Sequence, residues 1–308
     1  MEQILRLNNY LRQRFGSKVY KISLDGGMTC PNRDGTLGVG GCIFCSEGGS
    51  GDFAENFDPD INAQINRAIN RVASKNKHGK YIAYFQSYTN TYAPTEYLRE
   101  IFCKAINHPD VVALSIGTRP DCLPDEVISL LSELNRIKPV WIELGLQTSD
   151  ERSALFINRG YTNDVFENAV NALHSEGIEI IVHVILGLPN ETEETILNTI
   201  NYINRFPVNG IKLQLMHILK GTALENIYID HPDIFHFTSQ ESYVDILGKC
   251  IESLRPDIVL HRITGDGPKN ILIAPMWSAN KKQVLNTINK YLSDNNIIQG
   301  RRYFTNGT

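Results

Sequence analysis

No run of apolar residues in this 308-residue chain approaches the roughly 18 that a membrane-spanning helix needs. The first residues, MEQILRLNNYLRQRFG, intersperse Ile4, Leu5, Leu7 and Leu11 with polar groups. They lack the continuous apolar core and the small-residue cleavage site of a secretory signal, and they read as an amphipathic helix within residues 1–17. The chain also lacks an internal repeat, a low-complexity run and an excess of one charge: 30 Lys and Arg stand against 34 Asp and Glu. A net charge of −4 offers no broad basic field to nucleic acid, so such a partner would need a local basic face. These absences predict a cytoplasmic protein with no membrane partner, whose thiols stay reduced.

What is present alternates. Runs rich in β-branched and aromatic residues stand at 19–24 (VYKISL), 81–86, 111–117, 140–147 (VWIELGLQ), 179–187 (EIIVHVILG) and 210–218, and they read as strands. Between them Ile61, Ile65, Ala68, Ile69 and Val72 mark one helical face, and Leu98, Ile101, Phe102, Ala105 and Ile106 another. Helices also fit 124–135, 163–175 and 191–205, the last with Glu191, Glu193 and Glu194 in a first turn that favours negative charge. Six β-then-α units imply a parallel sheet with right-handed crossovers. Eight would close a TIM-type barrel. Because the pattern weakens after residue 218, the expected fold class is α/β, a partial (open) TIM-type (β/α)6 barrel. A doubly wound open sheet is the alternative. The expected organisation is an N-terminal helix (1–17), a barrel core (18–224) and a C-terminal α/β extension (225–308). In the extension SQESYVDILGKCIESL reads as a helix and IVLHRI as a short strand. Either architecture puts a site at the carboxyl ends of the strands.

That rule gives weight to the connection between the strand ending near Leu24 and the helix starting near Asp58. It runs to roughly thirty residues where most connections take about four to six. It holds Cys30, Cys42 and Cys45, three of the six cysteines. A structural zinc site wants four ligands, and an electron-transfer iron–sulfur cluster normally takes four cysteines. No fourth is close in sequence: Cys103, Cys122 and Cys250 fall in other elements, and the loop has no histidine. A four-iron cluster on three cysteines would leave one iron open to a substrate or cofactor, as a catalytic zinc keeps one open position. Gly35, Gly38, Gly40, Gly41, Gly48, Gly49 and Gly51 would let the backbone wrap such a cluster and turn N–H groups to its sulfurs. A zinc-pinned loop with an aspartate ligand, or a merely flexible one, is the plainer alternative.

Three cysteines after the first strand, the last two as Cys42-Ile43-Phe44-Cys45, resemble the radical S-adenosylmethionine (radical SAM) superfamily. Its familiar spacing is C-x3-C-x2-C. The eleven-residue first gap departs from it toward the branch related to the Elongator catalytic subunit, and the resemblance spans most of the chain. It implies a [4Fe-4S] cluster on Cys30, Cys42 and Cys45, with S-adenosylmethionine bound to the open iron. Reductive cleavage of that cofactor would give methionine and a 5′-deoxyadenosyl radical that takes a hydrogen atom from the substrate. The protein would supply position and exclusion of water. An electron donor such as flavodoxin or ferredoxin is implied too.

The resemblance also assigns cofactor contacts at strand ends. Phe44 matches the aromatic expected near the adenine, or it packs the loop. Thr89, Asn90 and Thr91, in QSYTNTYAP, match the place that receives the cofactor's amino group, or they cap the next helix. Arg119 and Asp121, in GTRPDCL, stand at a strand end as a contact or as a structural ion pair. IELGLQT resembles the branch's E-L-G-x-Q motif. Glu143 and Gln147, four apart on a strand, point to one face, with Glu143 meeting either the cofactor or a buried Arg or Lys. Arg159 in INRGYT is expected near the cofactor carboxylate, unless it is a surface arginine at a helix start. Gly187 would let backbone approach the adenine. His183, His217 and His261 read as satisfied strand histidines, and Cys122 stands at a strand end as a conceivable second redox group.

For the substrate, the Elongator-like resemblance implies wobble uridine of transfer RNA. Lys281, Lys282, Arg301 and Arg302 would give a basic face, and Tyr303 and Phe304 would stack a base, against the plainer reading of a frayed terminus. Radical chemistry on a small molecule such as a tetrapyrrole intermediate is one alternative. A non-catalytic metal- or cluster-binding module is another.

Overall fold

The computed structural model describes residues 3–49, 51–75, 79–265 and 267–303. The helix α1 (Leu7–Phe15) is followed by β1 (Val19–Leu24), α2 (Ile61–Val72), β2 (Lys80–Phe85), α3 (Thr95–Asn107), β3 (Val111–Thr118), α4 (Asp125–Asn135) and β4 (Val140–Gln147). A short α5 (Glu151–Phe156) and α6 (Asn163–Ser175) lead to β5 (Glu179–Leu186), α7 (Glu193–Ile203) and β6 (Gly210–Leu215). Then come β7 (Ile218–Leu219), α8 (Ala223–Asp230), α9 (Gln240–Ser253), β8 (Val259–Arg262), β9 (Leu272–Ala274) and α10 (Lys281–Asp294). Among the described residues no helix is long and apolar enough to cross a membrane.

The main sheet is parallel throughout, in the order β1-β2-β3-β4-β5-β6-β8. It is an open, partial TIM-type barrel with seven strands where six were expected. The seventh is IVLHRI. It pairs beside β6 with Gly210 opposite Val259 and Lys212 opposite Arg262. Its four residues follow a long connection through β7, α8 and α9, so the regular βα spacing that marks the other six does not mark it. The N-terminal segment covers the free edge of β8: Leu260 N–H donates to Leu5 C=O at 2.8 Å. An open parallel edge thereby gains partners.

The helices bury one stripe each. Ile61, Gln64, Ile65 and Ala68 of α2 face the sheet, as do Leu98, Ile101, Phe102, Ala105 and Ile106 of α3. Asp60 caps α2 by accepting from the N–H groups of Asn62 and Ala63. Thr192 caps α7 in a reciprocal box with Thr195. The helix therefore begins after Glu191, which lies outside the first turn where it was expected.

The concave face is layered by the two-residue period of strands. Its lowest layer is apolar: Val19, Ile82, Ala113, Trp141 and Ile181 pack together, and Leu11 of α1 plugs them from below. Two residues further along each strand come Lys21, Tyr84, Ser115, Glu143, His183 and Lys212. Two further still, Gln86, Gly117, Gly145, Ile185 and Gln214 line an open cavity at the carboxyl ends. Because α1 seals the barrel through one leucine that is 3% exposed, Leu11→Ala should cost about 2–4 kcal/mol. Urea unfolding followed by circular dichroism checks this, with the midpoint falling and the slope unchanged.

Candidate active site

The long connection after β1 folds over the cavity as a series of tight turns. Arg33 N–H bonds Cys30 C=O at 2.8 Å, Gly41 N–H bonds Asn32 C=O at 2.8 Å, and Cys45 N–H bonds Cys42 C=O at 2.9 Å. Two contacts pin the loop to neighbours: Ile43 N–H to Ile157 C=O at 3.1 Å and Leu224 N–H to Ile43 C=O at 2.9 Å. The Arg33 guanidinium holds the C=O groups of Cys45 and Ser46 at 3.2 and 2.7 Å and sits over the Tyr88 ring. Gly49, at φ +57°, is wedged against that ring, and a Cβ there would stand 2.1 Å from it. The glycine is needed for both reasons.

Cys30, Cys42 and Cys45 are in no disulfide, are half-buried, and all line one cavity of about 250 Å³. They stand around a shared space: among the described residues no three His, Cys, Asp or Glu side chains are grouped tightly enough for a single metal ion. Burial, then the neighbouring Cys45 and Cys30, pushes the Cys42 thiol up to about 12. Three adjacent thiolates repel one another in a low dielectric, and a multi-iron cation reverses that sign. The donor set and glycine-rich wrapping fit a four-iron cluster with one iron lacking a protein ligand. Cys122 is a different kind of thiol. It is buried, and burial and the Asp121 carboxylate raise it to about 12. It stays protonated and inert, unlike a second redox group.

Beneath the thiols lies the polar layer. Glu143, 1% exposed, is its centre. One carboxylate oxygen receives Lys21 Nζ and the Ser115 hydroxyl, the latter at 2.6 Å. The other receives Lys212 Nζ and His183 Nε2, the latter at 2.7 Å. Lys212 also donates to the Tyr84 hydroxyl at 3.1 Å, and both ammonium groups sit over the Tyr84 ring. Burial alone would raise the Glu143 carboxyl; Lys21, Lys212 and His183 override it and hold the group well below 4.5. Burial and the Lys212 charge push His183 down to about 4, so its ring is neutral near pH 7 and donates from Nε2. Burial lowers Lys212 to about 7, with Lys21 and Arg262 adding to the effect and Glu143 opposing it.

The expected contacts divide into several groups. Phe44, Thr89, Arg119, Glu143, Gln147 and Arg159 all line the cavity. Phe44 also packs against the cluster around Ile157 and Leu224. Asn90 is buried beside Thr89; its amide nitrogen donates to Gly117 C=O, and its Oδ1 has no partner. Gln147 Oε1 is likewise buried and unpartnered. Its backbone is left-handed (φ +68°), beyond a register break after Gly145, so simple strand alternation does not set its direction. Thr91 instead bonds Thr118 and Cys122 C=O.

Other placements fall on the second of the two readings or on neither. Glu143 meets the buried lysines and not an open position. Arg119 forms the ion pair with Asp121, at 2.9 and 2.7 Å, and donates to Arg159 C=O. Arg159 is not at the surface. It is 1% exposed, and its five N–H groups go to Tyr161, Leu146 and Thr148 C=O, Glu151 and Asn163. It clamps the turn after β4. Gly187 (φ +88°) packs against Phe237 outside the cavity lining, because buried Glu191 takes the N–H groups of Gly187 and Leu188 at 3.1 and 2.9 Å. In the terminal segment Arg301 and Arg302 both pair with Glu252, which removes much of the expected basic face. Phe304 lies outside the described residues.

Sequence reasoning passed over Lys21, Tyr84 and Lys212 and set His183 aside. The available signal was a lysine inside each of two apolar strands, VYKISL and GIKLQL, because an unpaired charge has no place there.

The sequence model for the radical SAM superfamily matches residues 30–203, and that for a radical SAM C-terminal domain matches 208–294. Protein YtqA of Bacillus subtilis is 48% identical over 295 residues, covering 96% of this chain and 91% of that one. The tRNA-2-methylthio-N(6)-dimethylallyladenosine synthase of Fusobacterium nucleatum is 26% identical over 115 residues, covering 37% of this chain and 26% of that one. The archaeal Elp3 structure from Methanocaldococcus infernus superposes with a TM-score of 0.67 at 17% identity, covering 94% of this chain and 68% of that one. At that identity it supports the fold.

Removing the central charge tests the floor. Glu143→Gln keeps the shape but leaves two buried ammonium groups without their carboxylate, and should cost about 3–5 kcal/mol in urea unfolding at pH 7. Glu143 is depressed in the fold, so its contribution is fully present above its ordinary value of 4.5 and is lost as pH falls through the depressed value. The wild type should lose stability on acidification, and the variant should lack that part of the slope.

Proposed function

The chain belongs to the radical SAM superfamily, and from that premise we propose that it modifies transfer RNA, with the wobble uridine as its target. It is an enzyme of that family, whose cofactors are a [4Fe-4S] cluster and S-adenosylmethionine. The observation that carries the chemistry is one loop with three thiols, none in a disulfide, lining a cavity at the carboxyl ends of a parallel half-barrel. When bound, the cluster and cofactor supply a 5′-deoxyadenosyl radical through reductive cleavage of the sulfonium. Cys30, Cys42 and Cys45 hold the cluster. The unpartnered oxygens of Asn90 and Gln147 are acceptors suited to the cofactor's ammonium or hydroxyl donors. The loop pinned through Ile43 and the walls of the barrel bound the space around the reacting centre.

The RNA reading draws support from two sources. The Fusobacterium relative is named for a tRNA product, and its match covers part of this chain. Aromatic side chains that line the cavity, Phe44, Phe53 and Tyr88, offer stacking surfaces to a base turned out of its helix. Net charge weighs against it, so binding should rest on local contacts. Lys281 and Lys282 at the start of α10 remain candidates, while Arg301 and Arg302 are paired with Glu252. An electron donor such as flavodoxin or ferredoxin completes the set of partners we propose.

Anaerobic reconstitution with iron and sulfide, then reduction, should give a four-iron electron paramagnetic resonance signal that shifts on adding S-adenosylmethionine, with 5′-deoxyadenosine released. Cys42→Ser should abolish both while circular dichroism stays unchanged. Stoichiometric zinc without cofactor cleavage would sink the radical reading. Separately, tRNA binding measured across salt concentrations should weaken linearly in the double-logarithmic plot. Absence of tRNA binding at low salt, with deoxyadenosine formation intact, would move the substrate to the small-molecule class.

A further inference from the structure

The polar layer holds more positive charge than its structural role requires. Lys21 from β1 and Lys212 from β6 both reach the single carboxylate of Glu143 on β4. His183 from β5 is neutral, as is His261 from β8, which burial holds well below its ordinary value. Tyr84 from β2 is raised by burial and stays a neutral phenol. Arg262 from β8 has its own partner and lines the cavity nearby. Counting Lys21, Lys212 and Glu143 alone, two ammonium groups meet one carboxylate, and burial leaves the surplus poorly screened.

The two lysines differ in what they face. Lys21 faces the apolar layer, with its ammonium group over the Trp141 ring and bonded to Ser115. Lys212 lines the cavity. An ammonium group has three N–H donors. Two of those on Lys212 go to Glu143 and to the Tyr84 hydroxyl, which leaves one for the cavity. Two residues along the same strand, and so on the same face, Gln214 also lines the cavity. Its side chain is half-buried, and its amide can donate to the same space.

We propose that Lys212 and Gln214 form a subsite on the β6 wall that binds an anionic oxygen group, a carboxylate or a phosphate, carried by the substrate. Such a group meets the surplus ammonium charge and takes the donors that Glu143 and Tyr84 leave over. In the empty cavity the surplus is relieved by partial loss of the Lys212 proton. A bound anion reverses this, so Lys212 takes up a proton as the anion binds. Anion affinity therefore falls as pH rises through the range near 7. This inference deepens the tRNA reading by requiring an acidic group on the substrate near the reacting position, either a backbone phosphate or a carboxylate on a modified base.

The test needs no RNA. The full chain, reconstituted with its cluster, is melted in rising inorganic phosphate or acetate, with ionic strength held constant by chloride. One of the two should raise the Tm saturably, by about 3 °C at tenfold excess over its Kd. The rise should be larger at pH 6.5 than at pH 8. Saturation by acetate identifies a carboxylate site, and saturation by phosphate a phosphate site. Lys212→Met should abolish the rise. Lys21 still neutralises Glu143 in that variant, and should it fail to fold, Gln214→Leu leaves the lysine–carboxylate network intact and should weaken anion binding several-fold. An equal rise in wild type and variants, or none in wild type with either anion, overturns the subsite. Displacement of the anion by free methionine also overturns it, because the charge would then belong to the cofactor's own carboxylate. Loss of tRNA binding with the anion effect intact would instead count against the RNA reading alone.

Discussion

A carboxylate buried at the centre of a barrel has to be met by positive charge, and most of this structure can be traced from how Glu143 is met. Left alone in a low dielectric, that group would cost several kcal/mol or take up a proton. Its partners come from β1, β3, β5 and β6, so no two neighbouring strands can satisfy it. The sheet must curve until β1, at one end of its order, and β6, two strands beyond β4, both reach the middle one. The charge network and the half-barrel shape are therefore one constraint. The apolar layer below, sealed by α1, keeps water from entering through the other end.

The same layering makes the cavity. Above the polar floor the inward positions become small where space is needed, with Gly117 on β3 and Gly145 on β4, and polar at Gln86 and Gln214. The thiol loop closes this space from the side of β1. It is anchored by backbone bonds to the end of α5 and to the start of α8, and by Arg33 on its own carbonyls. Arg159 and Glu191 brace the turns after β4 and β5 from inside. The two buried groups hold backbone, and that rigidity keeps cavity-lining residues in place.

Much of this could be read from the chain. The boundaries of β1 and β4 match the runs VYKISL and VWIELGLQ, because β-branched and aromatic residues concentrate there. The thiol loop stood out because a long glycine-rich connection at a strand end has no packing purpose. The seventh strand was harder. Four residues after a long excursion carry little periodicity, and β8 is a strand because β6 offers it an edge. Glu191 was misplaced for a related reason: a carboxyl three or four residues from two backbone N–H groups can turn inward or lead a helix, and Thr192 took the cap.

By itself the sequence determined the strands, their order as βα units, and the loop that bears the cysteines, because each depends on residues close together along the chain. Even the inward parity of Lys21, Glu143, His183 and Lys212 was implicit in the two-residue period. Only the tertiary structure decided that these four meet, that Arg159 is tied to the carbonyls and side chains around the turn after β4, and that Lys212 lines the cavity. Those outcomes depend on distances between strands far apart in sequence, and such distances exist only once the sheet has curved around its buried carboxylate.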